Sequence, residues 1–208
     1  MRKENVKVIL WGIGAMGKGM AEMLLNKKGV EIVGVVGRTY RLGKSMYEYL
    51  DVERGDRPDI IIGEYDKVIT EKAADVVIIA TDSFTRDTFD KIKYCLENKI
   101  NVISTAEEMA YPQAQEPGLA KEMDRIAKEN GVSVLGTGIN PGLIMDLLVI
   151  TLTGACIDVE SIKAERVNNL SPFGPAVMHG QGVGLTVDEF NRRVNENDLA
   201  GHVGFPES

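Results

Sequence analysis

The distribution of apolar positions divides the chain into short buried runs separated by amphipathic stretches. VKVILW (6–11) is apolar, bounded by charge and glycine, and reads as a buried strand. Residues 15–26 follow with Met16, Met20, Met23 and Leu24 at helical spacing, which predicts a helix packed on a sheet through its methionines. VEIVGVV (30–36) reads as a second strand, 42–50 as a helix, IIIG (60–63) as a short strand and 66–73 as a helical turn. DVVIIAT (75–81) is the clearest buried strand, followed by a helix over 84–98, a strand at 101–105, a helix over 117–130 and a strand at 132–136. Pro117 opens the last of these helices and Gly131 closes it. Strand and helix alternate throughout, which predicts an α/β fold with a parallel, doubly wound sheet.

The pattern changes after Gly138. Residues 141–154 are apolar on nearly all sides, which predicts a helix buried between domains or subunits, with Asn140 as its cap and Pro141 in its first turn. Residues 158–168 alternate like a strand with one wet face, 171–184 read as a loop rich in Gly and Pro, and 186–197 open a helix with Thr186 and Glu189 in capping-box spacing. The expectation is a dinucleotide-binding domain over 1–138 and the start of a smaller, incomplete α+β domain over 139–208, at about 70 residues marginal for a core of its own.

The segment WGIGAMG carries Gly12, Gly14 and Gly17 in G-x-G-x-x-G spacing, between a predicted strand and a predicted helix. That context marks a dinucleotide site: Gly12 for the turn, Gly14 for approach of a pyrophosphate, Gly17 for helix packing, and the first-turn amides of Ala15 and Met16 for phosphate oxygens. At the end of the second strand, where an acid would hold the ribose of NAD, stand Gly37, Arg38 and Thr39, with Arg41 nearby. Without the acid there is no charge to repel a 2′-phosphate, and Arg38 offers it a fork of donors, so NADP is the expected preference over NAD. Later strand ends bring Thr81, Asp82 and Ser83, then Thr105, Glu107 and Glu108, then Thr137 and Asn140 to the same edge of the sheet. The first two groups are expected on the nicotinamide half. The adjacent carboxylates read equally well as a helix start and as a grip on an ammonium. His179 lies in the loop over 171–184, with His202 and Asp146 as weaker candidates.

Charge and composition only remove options. A formal charge of −7 argues against nucleic acid as a partner. No apolar run reaches the roughly 18 residues of a membrane span, and the start is too polar for a secretion signal. Two cysteines and two histidines, far apart, point to reduced thiols in a cytoplasmic protein without a metal site.

WGIGAMG, STAEEMAYP (104–112), GTGINPGLIMDLLVITLTG (136–154), RVNNLSPFGPAVM (166–178) and GHVGFPES (201–208) together resemble the 2,4-diaminopentanoate dehydrogenases, relatives of dihydrodipicolinate reductase. The resemblance implies oxidative deamination of 2,4-diaminopentanoate to 2-amino-4-oxopentanoate with reduction of NAD or NADP, in ornithine degradation, by a homodimer. Members of that family are longer, so this chain stops within the expected substrate domain, and many carry Asp where Gly37 stands. On that substrate, Glu107 or Glu108 would hold an ammonium, the helix start at Asn140–Gly142 the carboxylate, and His179 or Asp82 would move protons. The alternatives are a dihydrodipicolinate reductase-like enzyme, whose His-rich stretch and Lys have no counterpart after Gly138, and a non-catalytic NADP-binding protein.

Overall fold

Six parallel strands form one sheet in the order β3-β2-β1-β4-β5-β6. They are β1 (Val6–Trp11), β2 (Val30–Val36), β3 (Ile62–Gly63), β4 (Val76–Ile79), β5 (Asn101–Ser104) and β6 (Val134–Gly136). The computed structural model describes residues 4–167, 169–171, 175–196 and 203. The chain winds outward from β1 to β3, returns beside β1 as β4, and winds outward again to β6. The strand order therefore reverses between β1 and β4, and at such a point the connections leave in opposite directions and open a crevice.

Alternation along β1 assigns its side chains to two cores. Ile9 packs with Val77, Ile79, Ile92, Leu96 and Met123 on the face covered by α3 (Thr85–Glu97) and α4 (Pro117–Asn130). Val8 and Leu10 pack on the other face with Ala21, Leu24, Val35 and Ile62, under α1 (Ala15–Leu25). α4 starts at Pro117 and ends at Gly131, whose φ of +67° suits a residue without a Cβ. The parallel, doubly wound reading of the sequence holds, and so does the position of every strand in it.

Four local expectations do not hold. The buried face of α1 is Gly17, Ala21 and Leu24, while Met16 and Met23 are 66% and 55% exposed, because close contact with β1 selects the small residues. Residues 42–50 form only a 3₁₀ turn (Met46–Tyr49), since the backbone of 43–46 bonds instead to that of 60–62. Residues 158–167 form no strand: they pair with no ladder among the described residues, and Val167 within them and Ile157 before them are fully exposed. The segment expected as a loop contains a short helix (Pro175–Gly180) before a further one (Val187–Asn195), which Thr186 caps by accepting the amide of Glu189 at 3.3 Å. The capping box is half made, because the Glu189 carboxylate bonds Arg192 instead.

The apolar helix after β6 begins at Leu143 as a π turn and continues as a helix over Leu148–Thr153. It was expected buried, yet Leu147, Ile150 and Leu152 are exposed in this chain. No helix among the described residues is long and apolar enough to cross a membrane.

Cys95 is fully buried in the α3 core, which pushes its thiol up to about 12, while Cys156 is exposed. The folded chain should therefore release one equivalent of chromophore with a disulfide reagent at neutral pH and a second only in denaturant; two fast equivalents would contradict this packing.

Candidate active site

The crevice between β1 and β4 is a cleft of about 380 Å³ lined by Gly12, Ile13, Gly14, Gly37, Arg38, Tyr40, Arg41, Thr81, Asp82 and Lys91, among others. Its floor is the glycine loop. Gly12, at φ +105°, turns the chain out of β1 while its amide still bonds Val36 O at 2.9 Å. A Cβ on Gly17 would lie 2.0 Å from Gly12 O, so only glycine lets α1 start this close to the strand. A Cβ on Gly14 would meet nothing within 4 Å. That open space beside the first-turn amides of Ala15 and Met16, with no side chain capping the helix, fits a pyrophosphate.

The wall after β2 explains its unusual sequence. A Cβ on Gly37 would stand 2.4 Å from Ile62 Cγ2, and Ile62 is fully buried in β3. The glycine thus has a packing cause that is independent of any cofactor. Arg41 donates from Nη1 to Ile13 O, and its guanidinium lies over the rings of Tyr49 at 4.6 Å and Tyr40 at 5.2 Å. Arg41 therefore ties the β2 loop to the glycine loop and is not a free cation. Arg38 is exposed at the cleft rim, and Thr39 is exposed next to it in sequence.

Beyond β4, the Thr81 hydroxyl and the Lys91 ammonium both donate to the Asp82 carboxylate. Ser83 O accepts the amide of Glu108 at 3.2 Å, and Glu108 Oε2 accepts the amide of Thr85 at 2.8 Å. Of the two adjacent carboxylates, Glu108 thus caps α3 from across the sheet edge. Glu107, half-buried on the same 3₁₀ turn (Glu107–Ala110), makes no such bond among the described residues. Thr105 follows β5, its amide and hydroxyl both donating to Ile79 O.

A second cleft of about 410 Å³ lies between this turn and the segment after β6, lined by Tyr111, Thr137, Gly142, Leu143, Asp146 and Ile150, among others. The helix start expected to hold a carboxylate has its first amides, those of Gly142, Leu143 and Ile144, taken within the fold. Gly142 N donates to Asp146 Oδ2 at 2.6 Å, Leu143 N to Gly138 O at 3.0 Å and Ile144 N to Ile139 O at 2.9 Å. Asn140 does not cap this helix. It is 8% exposed, and its Nδ2 and Oδ1 are buried without a partner among the described residues.

The strand ends thus bring Gly12, Gly14, Arg38, Thr81 and Asp82 into one cleft, with Ser83, Thr105, Glu107 and Glu108 along the same edge. His179 is exposed at the end of the Pro175–Gly180 helix, with no side-chain bond to that edge among the described residues. His202 lies outside the described residues. Sequence reasoning missed Lys91, which lies on α3 nine positions beyond Asp82 and belongs to no motif.

Residues 6–137 match the profile of the oxidoreductase family with an NAD-binding Rossmann fold. The chain belongs to that family. Residues 143–208 of this Rossmann oxidoreductase match the 2,4-diaminopentanoate dehydrogenase C-terminal domain. The chain is 71% identical over 205 residues to the 2,4-diaminopentanoate dehydrogenase of Acetoanaerobium sticklandii, covering 99% of this chain and 58% of that enzyme. Among solved structures it is similar to an amine dehydrogenase from Mycobacterium smegmatis, with a TM-score of 0.75 and 27% identity over 99% of this chain and 60% of that one. A meso-dapdh mutant from Clostridium tetani, at 18% identity and TM-score 0.51 over 71% of this chain and 42% of that one, shares the fold. The glycine loop, the sheet and the family agree on a nicotinamide dinucleotide, NAD(P), as the cofactor.

Two glycine substitutions should separate fold from binding. Gly14→Ala should leave the melting temperature unchanged and weaken cofactor binding, while Gly17→Ala should destabilise the fold by about 1–3 kcal/mol, as expected for overpacking. Melting curves and titrations followed by the fluorescence of the single tryptophan, Trp11, which lines the cleft, check both.

Proposed function

We propose that this chain carries the cofactor half and the beginning of the substrate half of an NAD(P)-dependent dehydrogenase acting on 2,4-diaminopentanoate. The products are 2-amino-4-oxopentanoate, ammonia and the reduced cofactor. The observation that carries this reading is the 71% identity to the Acetoanaerobium enzyme across 99% of this chain. Residues 1–138 serve the cofactor and 139–208 begin the substrate domain, a division supported by family matches ending at 137 and beginning at 143. A homodimer in the cytoplasm belongs to the same reading, supported by the metabolic substrate and by the exposed apolar side chains of 143–152.

The bound cofactor supplies a hydride acceptor for C4 of the substrate. The protein's part is to hold and to move protons. The Gly12–Gly17 loop and the amides of Ala15 and Met16 hold the pyrophosphate. Arg38, with Thr39, holds a 2′-phosphate, and NADP is preferred on the strength of Arg38, since Gly37 is already required by Ile62. Loss of hydride needs the C4 amine neutral, so a base must take its proton first; hydride loss from C4 leaves an iminium, water adds to it, ammonia leaves, and the oxygen of that water becomes the ketone oxygen. Glu107, whose carboxylate makes no hydrogen bond or ion pair among the described residues, is assigned the second ammonium, in preference to Glu108, which serves α3. The buried amide of Asn140 is assigned to the polar end of the substrate, because an unpartnered buried amide is costly unless a ligand satisfies it. His179 is left as a proton carrier only if the exposed helix it rides on meets the substrate.

The experiment is an absorbance assay of cofactor reduction with 2,4-diaminopentanoate and each dinucleotide, beside Trp11 titrations. Arg38→Ala should weaken NADP binding by about 1.5–3 kcal/mol, the value of a charged hydrogen bond, and leave NAD nearly unchanged. Dinucleotide binding without any diamine-dependent reduction would favour the non-catalytic alternative; a preference for NAD that Arg38→Ala does not alter would remove the NADP reading.

A further inference from the structure

Asp82 is the sole carboxylate among the residues lining the dinucleotide cleft. An acid on the wall of a site for a polyanion is a liability, because like charges at close range cost free energy that low dielectric increases. Lys91, the seventh residue of α3, reaches back to this wall. Its ammonium donates to the Asp82 carboxylate, to Thr81 Oγ1 at 3.2 Å and to Asp87 O at 3.4 Å. The two side chains keep 27% and 22% of their exposure, so the pair faces the cleft while largely shielded from water.

We propose that Lys91 is a positioning residue for the dinucleotide: it holds Asp82 as a neutral ion pair, so that the cleft wall beyond β4 does not repel the phosphates. The proposal rests on reading this cleft as the dinucleotide site. In it, Lys91 acts through Asp82 and touches no part of the ligand. Its role differs from that of Arg38, an exposed cation at the rim.

The test is a double-substitution cycle read by Trp11 fluorescence with NADP and with NAD, beside melting curves. Lys91→Met should weaken both dinucleotides by about tenfold at low salt, and the loss should shrink as salt rises. Lys91→Arg should bind as the wild type does. Lys91→Met with Asp82→Asn should recover wild-type affinity to within about threefold, because the neutralised wall no longer needs its cation. A Lys91→Met chain with unchanged affinity overturns the proposal. So does a double variant as weak as the single one, which would make Lys91 a direct ligand. Should Lys91→Met not fold, the double variant decides alone, with recovered affinity in support and a tenfold loss against. Failure of the wild-type chain to bind either dinucleotide would instead defeat the reading of the cleft itself.

Discussion

The site depends on one contact between backbones: α1 begins against the end of β1, with Gly17 where any side chain would collide with Gly12 O. Because the helix starts there, its unbonded amides open directly onto the reversal point of the sheet. Because Gly14 has empty space beside it, a phosphate can come up to those amides. The two cores hold this arrangement from both faces, one through Ala21 and Leu24, the other through Ile9 and the helices across the sheet.

Around that contact the cleft is organised by charges that are mostly spoken for. Arg41 is used to clamp two loops together, Lys91 to balance Asp82, and Glu108 to cap α3. Among the described residues, Arg38 at the rim, Glu107 on the turn after β5 and the amide of Asn140 beyond β6 make no side-chain hydrogen bond or ion pair. Neighbours in sequence differ accordingly: Glu108 is spent on the amide of Thr85, while Glu107 makes no side-chain bond among the described residues.

The sheet was legible because its signals are local: apolar runs of strand length, a glycine loop in its strand-to-helix context, and Pro and Gly at the ends of α4. The failures came where tertiary contacts decide. Nothing in the spacing of Met16, Met20 and Met23 reveals that β1 accepts only small residues at α1. The strand pattern of 158–167 could not form a strand without a partner for its backbone. In the site, residue types at strand ends were readable, but their pairing was not. Lys91 reaches Asp82 from nine positions away, and the amides after Asn140 are taken by Asp146 and by carbonyls that sequence does not show.

Packing at Gly37 carries an evolutionary consequence. Because Ile62 occupies the space of a side chain at that position, no lineage starting from this core can acquire the ribose-binding acid there by one tolerated change. Position 62, inside the shortest strand of the sheet, has to yield first or in the same step. A side chain at position 37 and the volume of the hydrophobic interior at position 62 are therefore set together.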